Sequence, residues 1–224
     1  MSKRLPWLAP VLALALLLAG CTSAPVSSEP RNLGLLKQEI YAYVDSGRYH
    51  ADLAAVSAQA IAWIGQRTAQ VKPGEKLALV FDIDETVLSN LPQMRRFDFG
   101  YERDTWEAWI REAKCPSIEP VREVHRAALS HGVAVFFVTA RWEGGRAATE
   151  KNLHTAGYDG YAALYCAADG AGNETAEAFK TAQRKKITDQ GYIIIANIGD
   201  QMSDLNGGYA ERTFKLADPF YLIK

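Results

Sequence analysis

The sequence predicts an α/β fold in which helices cover both faces of a parallel sheet. Two observations lead there. Short apolar runs at 77–81, 133–138, 162–165, 192–198 and 213–216 alternate with longer stretches of helical periodicity. The first, second and fourth of these runs end in reactive side chains: Asp82-Ile83-Asp84, Thr139-Ala140-Arg141 and Gly199-Asp200. Ligands of open parallel sheets bind beyond the carboxyl ends of the strands, so one edge would collect these groups.

Composition allows this fold and excludes other classes. With 224 residues, 48% of them hydrophobic, the chain can bury one substantial core. A formal charge of −1 offers no basic surface for a nucleic-acid polymer. At the N-terminus, Lys3 and Arg4 precede an apolar stretch, Leu8 to Ala19, that is short for a membrane span. It closes on Leu18-Ala19-Gly20-Cys21, which resembles the lipobox of bacterial lipoproteins. That resemblance implies a signal peptide at 1–20 and a lipid on the Cys21 thiol, anchoring the protein in the bacterial cell envelope. Thr22 stands where an inner-membrane retention signal would place Asp, which implies the outer membrane with the body in the periplasm. An ordinary secretory signal with a chance cysteine is the alternative. Residues 21–32, rich in Ser and Pro, read as a flexible tether. An oxidising compartment permits Cys115 and Cys166 to pair, although their spacing matches neither a disulfide scaffold nor a metal knuckle.

The domain at 33–224 opens with helices over 33–72. Leu35, Leu36, Ile40, Tyr43 and Val44 recur at helical spacing, as do Leu53, Val56, Ala60, Ile61 and Ile64, with a break near Asp45-Ser46-Gly47. Pro73-Gly74 turns the chain into the first strand. Residues 90–120 then lose periodicity and gain aromatic side chains, including Phe97, Phe99, Tyr101, Trp106 and Trp109. An insertion directly after the acidic strand end would lie over the site as a small helical cap. A helix at 104–113 would take Asp104 as N-cap and Glu107 as its capping-box partner. Trp106 and Trp109 either stack a flat substrate group or pin the insertion to the body. Helices follow at 119–130, 145–156 and 175–190, closed by Gly132, Gly157 and Gly191.

The strand ends carry the chemistry. A carboxylate such as Asp82 can attack phosphorus, and a second such as Asp84 can move the proton. The helix feeding the 192–198 strand carries Lys180 and Arg184 one turn apart on one face. That helix starts near the reactive edge and runs away from it, so Lys180 sits closer than Lys185 or Lys186. Asp82, Asp84 and Asp200 at buried strand ends would be costly without a cation. Asp204 fits a metal ligand or a helix cap, and Arg141 a phosphate binder or a solvated surface residue. His50, His125, His131 and His154 show no ligand spacing, and Glu85 gains no role from its position.

Asp82-x-Asp84-x-Thr86, Thr139, a helical lysine and Gly199-Asp200-x-x-x-Asp204 resemble the four ordered motifs of the haloacid dehalogenase (HAD) superfamily. FDIDETVLSN, the EAW segment with Trp109, VTAR, FKTAQR, NIGDQMSDL and RTFKLADPFYLI resemble its acid phosphatase branch. That branch includes plant vegetative storage proteins and bacterial lipoprotein phosphatases. The likeness covers nearly all of the chain from residue 33 onward, with Phe179 in place of the family's Tyr before the lysine. It implies a HAD-like, Rossmann-type three-layer parallel sheet with a small helical cap insertion and an N-terminal helical extension. It also implies a Mg²⁺-dependent acid phosphatase acting on small phosphate monoesters, with nucleoside monophosphates as one class. Asp82 would form an aspartyl-phosphate, and Asp84 would serve as acid and base with its pKa lifted by neighbouring charge. Thr139 and Lys180 would hold phosphoryl oxygens; Arg141, Trp106 and Trp109 would face the substrate. Mg²⁺ would rest on Asp82, the Asp84 carbonyl, Asp200 and Asp204. Two other functions stay open on this fold: a non-catalytic storage or binding lipoprotein, and a phosphotransferase. Some plant relatives have lost the nucleophile, so the presence of Asp82 favours an enzyme.

Overall fold

The structure is a computed structural model that describes residues 29–170 and 174–223. The expected signal peptide, Cys21 and most of the tether lie outside the described residues. The chain divides into two units between Asn32 and Leu33, and the helices and strands below belong to the second.

Strands β1 (Lys76–Phe81), β2 (Ala134–Trp142), β3 (Ala163–Ala167), β4 (Tyr192–Gly199) and β5 (Thr213–Lys215) form one parallel sheet, ordered β3-β2-β1-β4-β5. Around it run α1 (Leu33–Asp45), α2 (Arg48–Thr68), α3 (Leu91–Arg96), α4 (Arg103–Glu112), α5 (Glu119–Ser130), α6 (Arg146–Thr155), α7 (Ala176–Asp189) and α8 (Met202–Leu205). Side chains of a strand alternate between faces, so central β1 must be apolar throughout. Leu77, Leu79 and Phe81 pack with Leu53 and Ile64 of α2 and Val121 and Val124 of α5. Ala78 and Val80 pack the other way, with Phe179 and Ile187 of α7. Three layers result, as the sequence predicts.

Register places the site. Phe81 pairs with Phe137 on one side and Ile198 on the other, so the chain segments carrying Asp82, Thr139 and Asp200 leave the sheet near one level. Two irregularities refine this. Ala78 pairs with Ile194 and Leu79 with Ala196, which leaves Ile195 as a bulge. The indole N–H of Trp63 donates to the Ile195 carbonyl at 2.7 Å, satisfying the acceptor that the bulge sets free. On β2, Thr139 pairs with Cys166 and Trp142 with Ala167, so Ala140 and Arg141 are thrown out of register.

The structure departs from the sequence reading at several points. Strand β2 continues to Trp142, past the Val138 end that apolar content alone sets, because parallel pairing with β3 carries its polar residues. Helix α3 has no periodic stripe to announce it and begins with Pro92 in its first turn. The cap of α4 is Glu102, not Asp104: its carboxylate accepts from the N–H groups of Asp104 (3.2 Å) and Thr105 (2.7 Å). Glu107 instead pairs with Arg103 and Arg111 on the exposed side of the helix. Cys115 and Cys166 are both free and buried. Helix α1 braces the insertion: Lys37 and Tyr41 both bond to Asp98, and the Tyr41 ring meets Phe99 at 5.0 Å.

Arg184 of α7 is 1% exposed. It donates to the carbonyls of Asp204 (2.6 Å), Asn206 and Gly208 (2.9 Å), pinning the loop after β4. Replacing Arg184→Met, which keeps the stem and removes the donors, should cost about 3 kcal/mol in urea unfolding.

Candidate active site

Asp82 leaves β1 with its N–H still donating to the Ile198 carbonyl at 3.0 Å, so the sheet itself aims its carboxylate. Lys180, on the first half of α7, places its ammonium 2.5 Å from Asp82 Oδ1 and 2.5 Å from Asp204 Oδ1. Asp200 stands beside them. Its Oδ1 accepts from the Thr86 hydroxyl at 3.0 Å and its Oδ2 from the Gln201 amide at 2.8 Å. All of these residues are buried. A Cβ on Gly199 would lie 2.4 Å from the Asp204 side chain, so glycine is what lets that carboxylate close against the end of β4. Asp204 Oδ2 also accepts from the Gln201 N–H at 2.7 Å, closing a capping box on α8. Asp204 thus helps to cap α8 as the partner of Gln201, which is the cap itself, and its other oxygen stays with the acidic cluster.

Oxygen atoms from Asp82, Asp200 and Asp204 lie within 4.8 Å of one another. One ammonium bonds two carboxylates and a third stands beside them, so the centre carries excess negative charge where water is scarce. Burial raises the pKa of Asp82, and Asp204 and Asp84 add to the rise while Lys180 opposes it. Asp200 is raised well above its ordinary value by burial, then by Asp82 and Asp204. For Lys180, burial works downward but the two carboxylates outweigh it, and its pKa rises. An all-oxygen, over-charged cluster is what a hard divalent cation neutralises.

Asp84 lies in a second arrangement. Arg141, aimed by the irregular end of β2, donates from Nε to both Asp84 oxygens (3.1 Å each) and from Nη2 to Oδ1 at 2.7 Å. Asn90 Nδ2 adds a bond of 2.7 Å to the same Oδ1. Burial pushes the Asp84 pKa up, but Arg141 and Asn90 prevail and leave it below the ordinary carboxylate value. The expected upward shift is thus reversed, because the nearest charge is a buried guanidinium rather than another acid. Arg141 is itself 4% exposed, and its Nη1 reaches Thr149 at 3.3 Å. The solvated-surface reading of Arg141 fails.

A cavity of about 690 Å³ opens above these groups. Its floor carries Asp82, Asp84, Arg141, Lys180, Asp200 and Asp204, and its wall Phe99, Tyr101, Trp106, Phe220 and Leu222. Two predicted residues stand elsewhere. Thr139 is fully buried with its hydroxyl accepting from the Arg141 N–H at 3.1 Å, and it does not line the cavity. Trp109 also lies off the wall: its indole N–H donates to Asn90 Oδ1 at 2.9 Å, so it pins the insertion while Trp106 faces the space.

Sequence reasoning assigned no part to Glu85, Asn90, Gln201, Asp218 or Tyr221. Gln201 Nε2 bonds Asp200 and also Asp218 (2.5 Å), while its Oε1 accepts from the Ile223 N–H at 3.1 Å. The C-terminal segment is thereby tied to the acidic centre. Glu85, fully buried, has φ at 54°, a left-handed conformation costing a residue with a Cβ about 1 kcal/mol. Burial, reinforced by Asp84, raises its pKa to about 8 against the Asn90 donors. An acid embedded among Ile83, Val87 and Leu88 was the available signal.

Paired acids, a lysine and a further acid pair at the carboxyl edge of a parallel sheet define the HAD class of phosphate-handling proteins. Residues 13–224 match the model of HAD superfamily, subfamily IIIB (acid phosphatase), and the chain belongs to that family. It is 34% identical over 188 residues to the stem 28 kDa glycoprotein of Glycine max, covering 81% of this chain and 72% of the relative. Acid phosphatase 1 of Solanum lycopersicum is 32% identical over 148 residues, 64% of this chain and 58% of that one. Vegetative storage protein 2 of Arabidopsis thaliana is 29% identical over 148 residues, 64% of this chain and 56% of its own. Among solved structures, the class C acid phosphatase from Bacillus anthracis with tungstate bound superposes with a TM-score of 0.68. At 20% identity over 84% of this chain and 86% of that one, it attests the shared fold.

The charge balance of the centre yields a test. Lys180→Met should destabilise the metal-free protein by about 4 kcal/mol, since it strips the buried acids of their cation. Added Mg²⁺ should raise the melting temperature of the variant more than that of the wild type.

Proposed function

We propose that the chain is a Mg²⁺-dependent phosphatase that hydrolyses small phosphate monoesters through an aspartyl-phosphate on Asp82. The observation that carries this reading is the buried set of Asp82, Lys180, Asp200 and Asp204 at the floor of an accessible cavity. Its donors are all oxygens and its uncompensated charge is negative, which suits Mg²⁺ held by Asp82, Asp200 and Asp204 with the Asp84 carbonyl. When bound, that ion supplies positive charge to a phosphoryl oxygen that the carboxylates would otherwise repel.

The chain's own residues divide the remaining work. Asp82 attacks phosphorus, so that the ester oxygen leaves and the acyl phosphate forms; water then attacks that phosphorus and restores the carboxylate. Lys180 offers an ammonium to the transferring group at the cavity floor. Asp84 gives a proton to the leaving oxygen and later takes one from water. Its pairing with Arg141 and Asn90 favours the ionised form needed for the second duty. A phosphoryl group that competes for Arg141 would loosen the pair and let Asp84 carry the proton needed for the first. Thr139, bonded to the backbone of Arg141, keeps that guanidinium in place. The aromatic wall with Trp106 suits a flat leaving group such as a nucleoside, and Trp109 serves by holding the insertion.

The plant relatives named as storage proteins make a non-catalytic role the other reading. Asp82 bonded to Lys180 beneath an open cavity favours the enzyme. We also propose that residues 1–20 are removed, that residues 21–32 tether the domain 33–224, and that Cys21 is lipidated at the outer membrane. The support is the Leu-Ala-Gly-Cys run followed by Thr22.

Residues 22–224, assayed on p-nitrophenyl phosphate and nucleoside monophosphates, should lose activity under chelation and regain it with Mg²⁺. Asp82→Asn should lower kcat by more than about a thousandfold. Equal activity in that variant would sink the nucleophile assignment. In bacterial cells, palmitate should label the full chain and fail to label Cys21→Ala.

A further inference from the structure

We infer that Glu85 is a positioning residue for the reaction: with Asn90 and the C-terminal Tyr221, it holds the turn that sets Asp84 at the cavity floor. The inference rests on the phosphatase reading above and goes beyond it by assigning three residues that the four motifs leave idle.

Glu85 touches nothing in the cavity. It is fully buried, and its carboxylate accepts from the Asn90 N–H at 2.5 Å, from Asn90 Nδ2 at 2.9 Å and from the Tyr221 hydroxyl at 3.1 Å. A buried carboxylate held by three donors, without a cation among them, is expensive to keep unless its geometry matters. The backbone carries the same imprint. Glu85 sits at φ 54°, and the segment behind it folds tightly: its N–H donates to the Leu88 carbonyl at 2.9 Å, and the N–H groups of Val87 and Leu88 donate to Ile83 at 2.9 and 3.0 Å. A strained residue one place after the acid–base carboxylate fixes where that carboxylate points.

Asn90 transmits the constraint. Its Nδ2 divides between Glu85 and Asp84 (2.7 Å), while its Oδ1 accepts from Trp109 Nε1 at 2.9 Å and from the Cys115 thiol at 3.4 Å. Both ends of the amide are engaged, so it cannot flip without setting its oxygen against two carboxylates. Trp109 thus orients Asn90, and Asn90 orients Asp84. Tyr221 brings in the end of the chain. Phe220 beside it stacks on Phe99 at 5.8 Å, and Gln201 fastens the segment through Asp218 and the Ile223 N–H. The insertion, the acidic turn and the C-terminal segment therefore converge on one oxygen pair, that of Glu85.

Leaving groups separate positioning from mere stability. p-Nitrophenolate departs with little help from a proton, whereas an alkoxide needs one, so a misplaced Asp84 penalises alkyl esters more. The full chain, Tyr221→Phe and Glu85→Gln are assayed on p-nitrophenyl phosphate and glycerol phosphate, and crystals of the wild type and of Glu85→Gln are compared. Tyr221→Phe should lower the alkyl-to-aryl ratio of kcat by about fivefold and Glu85→Gln by about tenfold or more, with KM changing little. In Glu85→Gln crystals the Asp84 carboxylate should leave its contact with Asn90. A ratio unchanged in both variants, or a rise in KM alone, overturns the inference. Should the wild type turn over neither ester, the phosphatase reading falls, and the crystals still decide the geometry. A displaced Asp84 supports the positioning role; an unmoved one refutes it.

Discussion

One ammonium group shared between two buried carboxylates is the constraint from which the rest of the site follows. Lys180 bridges Asp82 and Asp204, with Asp200 alongside, so the protein concentrates acids in a place where unpaired charge costs several kcal/mol. Such a cluster survives if its neighbours hold it rigidly. Gly199 lets Asp204 approach, Thr86 and Gln201 bond Asp200, and Arg184 pins the loop from Asp204 to Gly208. Helix α7 supplies Lys180 and Arg184 one turn apart, so one helix both balances the charge and braces its frame. An excess of negative charge remains, and a divalent cation is the partner such a site prefers.

The two acids of the opening motif are separated by environment rather than by sequence. Asp82 faces Lys180 and other carboxylates, which leaves its pKa raised by burial; Asp84 faces Arg141 and Asn90, which hold it low. Neighbouring carboxylates placed in unlike surroundings take unlike roles. The irregular end of β2 makes this possible, since it turns Arg141 out of the strand and back toward Asp84.

Much of this was legible in the chain. Continuous apolar runs such as Leu77 to Phe81 marked strands buried on both faces, and the acids that follow them marked the reactive edge. Lys180 was separable from Lys185 and Lys186 by helix direction, by the rotation of Lys186 to another face and by its match to the family motif. What escaped depended on pairing across the fold. Nothing local says that β2 continues past Val138 to Trp142, because Thr139 and Trp142 are held by pairing with Cys166 and Ala167 of β3. The Glu102 cap displaced the expected Asp104 because its longer side chain reaches back to two N–H groups. Of the expected site residues, Arg141 lines the cavity but bonds Asp84, while Thr139 and Trp109 bond Arg141 and Asn90 and stand off the wall. Asn90 and Tyr221 gain their meaning from contacts with Glu85, and Tyr221 lies 136 positions away in sequence.

The central claim is that Asp82 carries the phosphoryl group covalently, and chemical trapping addresses it directly. Borohydride reduces an acyl phosphate to an alcohol, so quenching the enzyme during turnover and mapping its peptides would mark the nucleophile. Homoserine is expected at position 82 in samples given substrate and Mg²⁺, and unmodified aspartate without substrate. Reduction at Asp84, Asp200 or Asp204 instead, or turnover that leaves every aspartate intact, would contradict it.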